Sequence, residues 1–115
     1  MRASMQRRAG RQFGKLLCAS ALVCLQGVAM AAEHEVRISD YRFEPTALRV
    51  RVGDTVTWIN EEKRTSHSVL FIARGEESER FFPGERWSRA FPETGRFEYR
   101  CGPHPEMLGV VIVED

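Results

Sequence analysis

The chain has 115 residues, with 17 basic and 16 acidic side chains for a formal net charge of +1. That length points to one compact domain. The arginines alternate with apolar residues or sit beside glutamates, which excludes the clustered basic surface that binding to nucleic acid needs.

Residues 1–31 read as a secretory signal peptide. A basic start (Arg2, Arg7, Arg8, Arg11, Lys15) precedes an apolar stretch from Leu16 to about Met30, and Ala29-Met30-Ala31 offers a small-residue cleavage site. The stretch is shorter than the roughly 20 apolar residues of a membrane span. No acidic residue precedes Glu33. A retained N-terminal anchor is the alternative reading. Arg7-Arg8 lacks the bulky apolar follower of a twin-arginine signal, and neither Cys18 nor Cys24 follows the small residue of a lipoprotein site.

Removal of the leader would take five basic residues with it, leaving 12 against 16 acidic ones and a net charge of −4. It would also leave Cys101 as the only thiol of the mature chain. An exported protein meets an oxidising compartment, where a lone exposed thiol is a liability. Cys101 must therefore be buried and inert, or occupied.

Over the expected domain, residues 32–115, apolar residues recur with period two, the strand signal. Val36 and Ile38 alternate with Arg37 and Ser39. Leu48, Val50 and Val52 alternate with Arg49 and Arg51, and Val56 and Trp58 with Thr55 and Thr57. His67, Val69 and Phe71 share one face of a fourth predicted strand. Trp87 to Phe91 suggests another, Phe97, Tyr99 and Cys101 a sixth, and Val110 to Val113 the last. Turn signals at Glu44-Pro45, Gly53-Asp54, Pro83-Gly84 and Pro92-Glu93-Thr94-Gly95 separate them. No segment carries a helical pattern, and the charged run from Arg74 to Arg80 reads as a loop. The expectation is an all-β, two-sheet β-sandwich of about seven short strands, with His67 and Cys101 pointing inward at strand ends.

The chemistry concentrates in Cys101-Gly102-Pro103-His104-Pro105-Glu106-Met107. A thiolate, an imidazole and a thioether recur at intervals of three residues, and the two prolines restrict the backbone on either side of the histidine. His67 can add a second imidazole from a facing strand. Two imidazoles and a thiolate in a trigonal arrangement, with a weak axial Met, make a blue-copper site. Each residue also has a plainer reading. Cys-x-x-His is often half of a zinc site, but zinc does not use Met. Met107 alone reads as core filler and His67 alone as a structural histidine. A Cys/His pair also suits a hydrolase, but no Asn, Asp or Gln is placed to orient His104. The set of four is far more specific than any member.

On these residues the mature chain resembles the cupredoxin, or type 1 copper, family. The resemblance runs through Phe43-x-Pro45, Gly53-Asp54-Thr55-Val56-Thr57-Trp58-x-Asn60, His67-Ser68-Val69, Pro83-Gly84, Gly95 to Arg100 and Cys101 to Gly109. The His104-to-Met107 gap is that of the amicyanin branch, shorter than in plastocyanin and pseudoazurin. The resemblance implies an eight-stranded Greek-key sandwich, a periplasmic location and one type 1 copper ion. His67, Cys101 and His104 would be its strong ligands and Met107 the axial one. The family commonly has Asn after the first histidine, where this chain has Ser68, and Glu106 places a carboxylate in a loop that relatives keep largely apolar.

The function expected is single-electron transport, with copper cycling between Cu(I) and Cu(II), and no catalysis. Redox partner proteins, a c-type cytochrome or a dehydrogenase, would dock at the face of His104, Pro103, Pro105 and Leu108. Neither nucleic acid nor stable membrane insertion is expected, and the protein should act as a monomer. A copper chaperone or buffer is the alternative, although such proteins favour Met-rich sites and Met107 is the only methionine left after the leader. Cleavage after Ala31 would also create an amino-terminal Ala32-Glu33-His34, whose four nitrogens could form a second, tetragonal Cu(II) site. A solvated His34 opening the first strand is the plainer reading.

Overall fold

The computed structural model describes residues 30–115. The expected signal peptide lies outside the described residues except for Met30 and Ala31, both exposed. There is no helix among the described residues, and so none long and apolar enough to cross a membrane. The described residues form nine strands: β1 (Glu33–Ser39), β2 (Arg42–Glu44), β3 (Ala47–Arg51), β4 (Thr55–Asn60), β5 (Leu70–Phe71), β6 (Glu76–Glu77), β7 (Arg86–Ala90), β8 (Gly95–Arg100) and β9 (Leu108–Glu114).

They form a four-stranded sheet in the order β2-β1-β4-β7 and a five-stranded sheet in the order β3-β9-β8-β5-β6. The pairs β1–β4 and β3–β9 are parallel, and the others antiparallel. The alternation read from the sequence decides which face is buried. Val36 and Ile38 of β1, Val56 and Trp58 of β4, and Val111 and Val113 of β9 all enter one core. Trp58 is its centre, fully buried, edge-on to Phe71 and Tyr99 and tilted against Trp87 and Phe91 at centroid distances of 5.4–6.4 Å. Such aromatic pairs each contribute about 0.5–1.5 kcal/mol beyond their burial.

Two segments depart from the sequence reading. The strand expected to begin at His67 starts only at Leu70, because the backbone of His67 pairs with Phe81 rather than continuing the β5 ladder. This isolated bridge has N–H···O distances of 3.1 and 3.0 Å. The run Arg74 to Arg80, expected as a loop, contains β6, which pairs with β5 through Leu70↔Glu77 and Phe71↔Glu76. β6 and the three-residue β2, neither read as a strand in the sequence, raise the count above the seven or eight expected. His34 is not simply solvated at the start of β1. Its Nε2 lies 2.9 Å from Asp54 Oδ2, while the Ala32 N–H donates to Asp54 Oδ1 at 2.9 Å.

Candidate metal centre

β8 and β9 run antiparallel as far as Arg100↔Leu108, and the residues between them form one tight loop. Cys101 N–H donates to the Met107 carbonyl at 3.0 Å, and Met107 N–H to the His104 carbonyl at 2.9 Å. Both sulfur-bearing residues thus lie at the end of a rigid ladder and are buried, whereas His104, at the tip, is half-buried.

His67 arrives from the other segment. The Nδ1 atoms of His67 and of His104 each stand 3.5 Å from Cys101 Sγ, and the three donor atoms all lie within 4.8 Å of one another. The imidazole centroids are 5.1 Å apart. The Ser68 N–H points at the same sulfur from 3.5 Å. Met107 is buried at the foot of the loop.

Residues with no role in the sequence reading fix this arrangement. Glu62 Oε1 lies 3.3 Å from His67 Nε2 and also accepts the Tyr41 N–H at 2.7 Å. A carboxylate only accepts, so Nε2 carries the imidazole proton and Nδ1 offers its lone pair toward the thiol. Asn60, quoted above only as part of a motif, holds the loop that carries Glu62. Its amide donates to the carbonyls of Thr65 and Phe81 and accepts the Glu62 N–H. Tyr41 sets its ring edge-on against both imidazoles, with centroids 5.8 Å from His67 and 5.0 Å from His104, and its hydroxyl meets Thr65 Oγ1 at 3.1 Å. Ser68 does more than its short side chain suggests. Its hydroxyl accepts the Gly102 N–H at 3.0 Å and donates to Glu77 Oε1 at 2.8 Å, so the two donor-bearing segments are joined.

The electrostatics favour neutral donors until a cation arrives. Burial pushes the Cys101 thiol up, opposed by the Ser68 and His104 backbone N–H groups. Burial pushes His67 down, with the Glu62 carboxylate working against it. Cys101 would give up its thiol proton to a bound cation, which would offset the cost of burying a thiolate. The donor set fits copper. A soft sulfur and two imidazoles face one another across a gap suited to a single ion, and the same loop carries a buried methionine whose backbone bonds Cys101 and His104, a residue type that zinc would not use.

A two-sheet sandwich with these donors at one end defines a type 1, or blue, copper protein, an electron carrier with one copper ion. Sequence comparison agrees. The profile described as "Copper binding proteins, plastocyanin/azurin family" matches residues 30–114. Amicyanin of Paracoccus denitrificans is 42% identical over 85 residues, 69% of this chain and 63% of its own length. Amicyanin-alpha of Methylorubrum extorquens is 34% identical over 103 residues, 85% of each chain. Among solved structures, the reduced Cu(I) form at pH 4 of a proline-to-glycine variant of amicyanin superposes with a TM-score of 0.68 and 37% identity, over 71% of this chain and 82% of that one. The chain belongs to the plastocyanin/azurin family of copper-binding proteins.

Proposed function

We propose that His67, Cys101 and His104 hold the copper ion in a trigonal set, with Met107 as axial ligand, and that the electron leaves through His104. The observation that carries this reading is the convergence of two imidazole Nδ1 atoms on one buried thiol at 3.5 Å each. Bound copper supplies a one-electron couple. The chain supplies donors placed in advance by Glu62, Ser68 and the β8–β9 ladder, which limits rearrangement when the charge changes. Buried donors favour a carrier over a copper chaperone, which would present its ligands for exchange. His67 and Cys101 have no exposed surface, and His104 alone of the expected ligands reaches solvent in part.

The partner-facing surface is the end around His104. Tyr41 and Leu108, 49% and 57% exposed, give it apolar area together with Pro103 and Pro105. Near this end Glu76 is paired with Arg89, while Glu77 accepts the Ser68 hydroxyl and keeps its charge. Glu106 remains exposed on the loop. A c-type cytochrome or a dehydrogenase with a basic docking face suits this surface. The signal-like residues 1–31 support export to the periplasm, where the mature domain 32–115 would act as a monomer.

The test is the visible spectrum. Copper added to the metal-free protein should give an intense band in the orange-red region. Cys101→Ser should abolish that band while the far-ultraviolet circular dichroism of the sandwich remains. A Cys101→Ser protein that stays blue refutes the ligand assignment.

A further inference from the structure

β6 is two residues long and exposed, yet its second residue touches both donor-bearing segments. Through its backbone Glu77 pairs with Leu70, three residues beyond His67. Through its carboxylate it accepts the Ser68 hydroxyl proton at 2.8 Å. That bond has a directional consequence. A hydroxyl has one proton, and with that proton committed to Glu77 its lone pairs face the Gly102 N–H, which it accepts at 3.0 Å. Gly102 directly follows Cys101, and a side chain there would displace Glu77 and Ser68. A Cβ there would lie 1.9 Å from Glu77 Oε1 and 2.6 Å from Ser68 Oγ. The carboxylate therefore lies against the backbone of the Cys101 loop, while Arg100 Nη1 grips the carbonyls of Cys101 and Gly102 at 3.1 Å each.

We propose that Glu77 is a positioning and tuning residue of the copper site. It orients the Ser68 hydroxyl that ties the Cys101 loop to the His67 segment, and its negative charge beside that loop favours Cu(II) over Cu(I). The tuning half rests on the copper reading above, and the clasp does not. Two substitutions separate the halves. Glu77→Gln removes the charge but keeps an oxygen that can accept from Ser68. Glu77→Ala removes both.

Redox titration of the copper-loaded proteins reads the tuning. At a fixed ambient potential Glu77→Gln should raise the Cu(I):Cu(II) ratio about two- to fivefold, on a scale where tenfold is 59 mV for one electron. Amide hydrogen exchange at Gly102, measured by NMR on the metal-free protein, reads the clasp. Exchange should quicken in Glu77→Ala and in Ser68→Ala and stay slow in Glu77→Gln. An unchanged potential in Glu77→Gln overturns the tuning role. Unchanged Gly102 exchange in Glu77→Ala overturns the positioning role. A wild-type protein that gives no blue band with copper overturns the copper reading and the tuning with it, and the exchange data then judge the clasp alone. If Glu77→Ala fails to fold, quickened Gly102 exchange in Ser68→Ala supports the clasp and unchanged exchange overturns it.

Discussion

Asn60 ends β4 without exposed surface, and its amide ties down the loop that leads to His67. Nδ2 donates to Thr65 O at 2.8 Å and Phe81 O at 3.0 Å, and Oδ1 accepts the Glu62 N–H at 2.9 Å. Asn60→Ala removes all three bonds. The Phe81 carbonyl keeps a second donor, the His67 N–H at 3.1 Å, so the cost falls on Thr65 and Glu62. Both are half-buried and can be partly rehydrated. At about 1–3 kcal/mol for an unsatisfied buried group, two such groups near the low end, with the small void left by the side chain, give a loss of about 2–4 kcal/mol. Each kcal/mol shifts the midpoint of a domain this size by about 4–8 °C. The assay is urea and thermal unfolding of the metal-free protein, because bound copper stabilises the folded state and would mask the loss. The variant should also bind copper with a weakened blue band, since Glu62 and His67 lose their common anchor. A loss below about 0.5 kcal/mol, the range of an ordinary surface substitution, would refute the reasoning.

The N–H of Arg51, the His34 imidazole and the N–H of Ala32 hold the Asp54 carboxyl down to about 2, from 3.8. Its contribution to stability is complete above pH 3.8 and is lost as pH falls toward 2; Asp54→Asn should remove this part of the acid dependence of unfolding. Burial pushes the Tyr99 phenol from 10.0 up to about 12, with Trp58 opposing, so stability should hold up to pH 10 and fall as pH rises toward 12. Ultraviolet titration of the folded protein should show the buried phenol of Tyr99 ionising only as pH approaches 12. Glu106→Gln should modestly slow electron transfer to a basic cytochrome, with the effect fading at high salt. Leu108→Glu should slow it more and leave the copper spectrum nearly unchanged, as checked by stopped-flow absorbance.

Strands with one buried face were legible in the sequence. Where Val36/Ile38, Val56/Trp58 and Val111/Val113 face a common core, a register slip would expose all of them, so the pattern is strict. The segment from His67 to Phe71 was misread because it does not act as a simple strand. Ser68 is a polar residue with no exposed surface, and only the Glu77 carboxylate and the Gly102 N–H make its burial tolerable. β6 was invisible for a related reason. Two glutamates carry no apolar signal, and the strand is held by its backbone pairing with β5 and by Arg89, which pairs with Glu76 and lies over Phe71 at 4.5 Å.

The site was legible to the extent that donor chemistry is local. Cys101, His104 and Met107 share one short loop, and the structure brings His67 to the same thiol. The residues that place them come from far along the chain and belong to types common on any surface. Tyr41 shows what such placement costs. It sits at φ 58°, beside Asp40 at φ 50°, a left-handed conformation worth about 1–2 kcal/mol of strain in a residue with a side chain. Strain of this kind persists only where the surroundings overdetermine it, and at Tyr41 they do. The N–H is bound by Glu62, the hydroxyl by Thr65, and the ring edge meets both imidazoles. Two of these anchors, the side chains of Glu62 and Thr65, belong to residues whose backbones Asn60 secures. The turn after β1, the end of β4 and the His67 segment are thus one hydrogen-bonded unit, closed by the chain's own residues. A carrier that must change charge without changing shape gains from that closure, and His104, half-exposed beside a half-exposed tyrosine, is where the closed unit meets solvent.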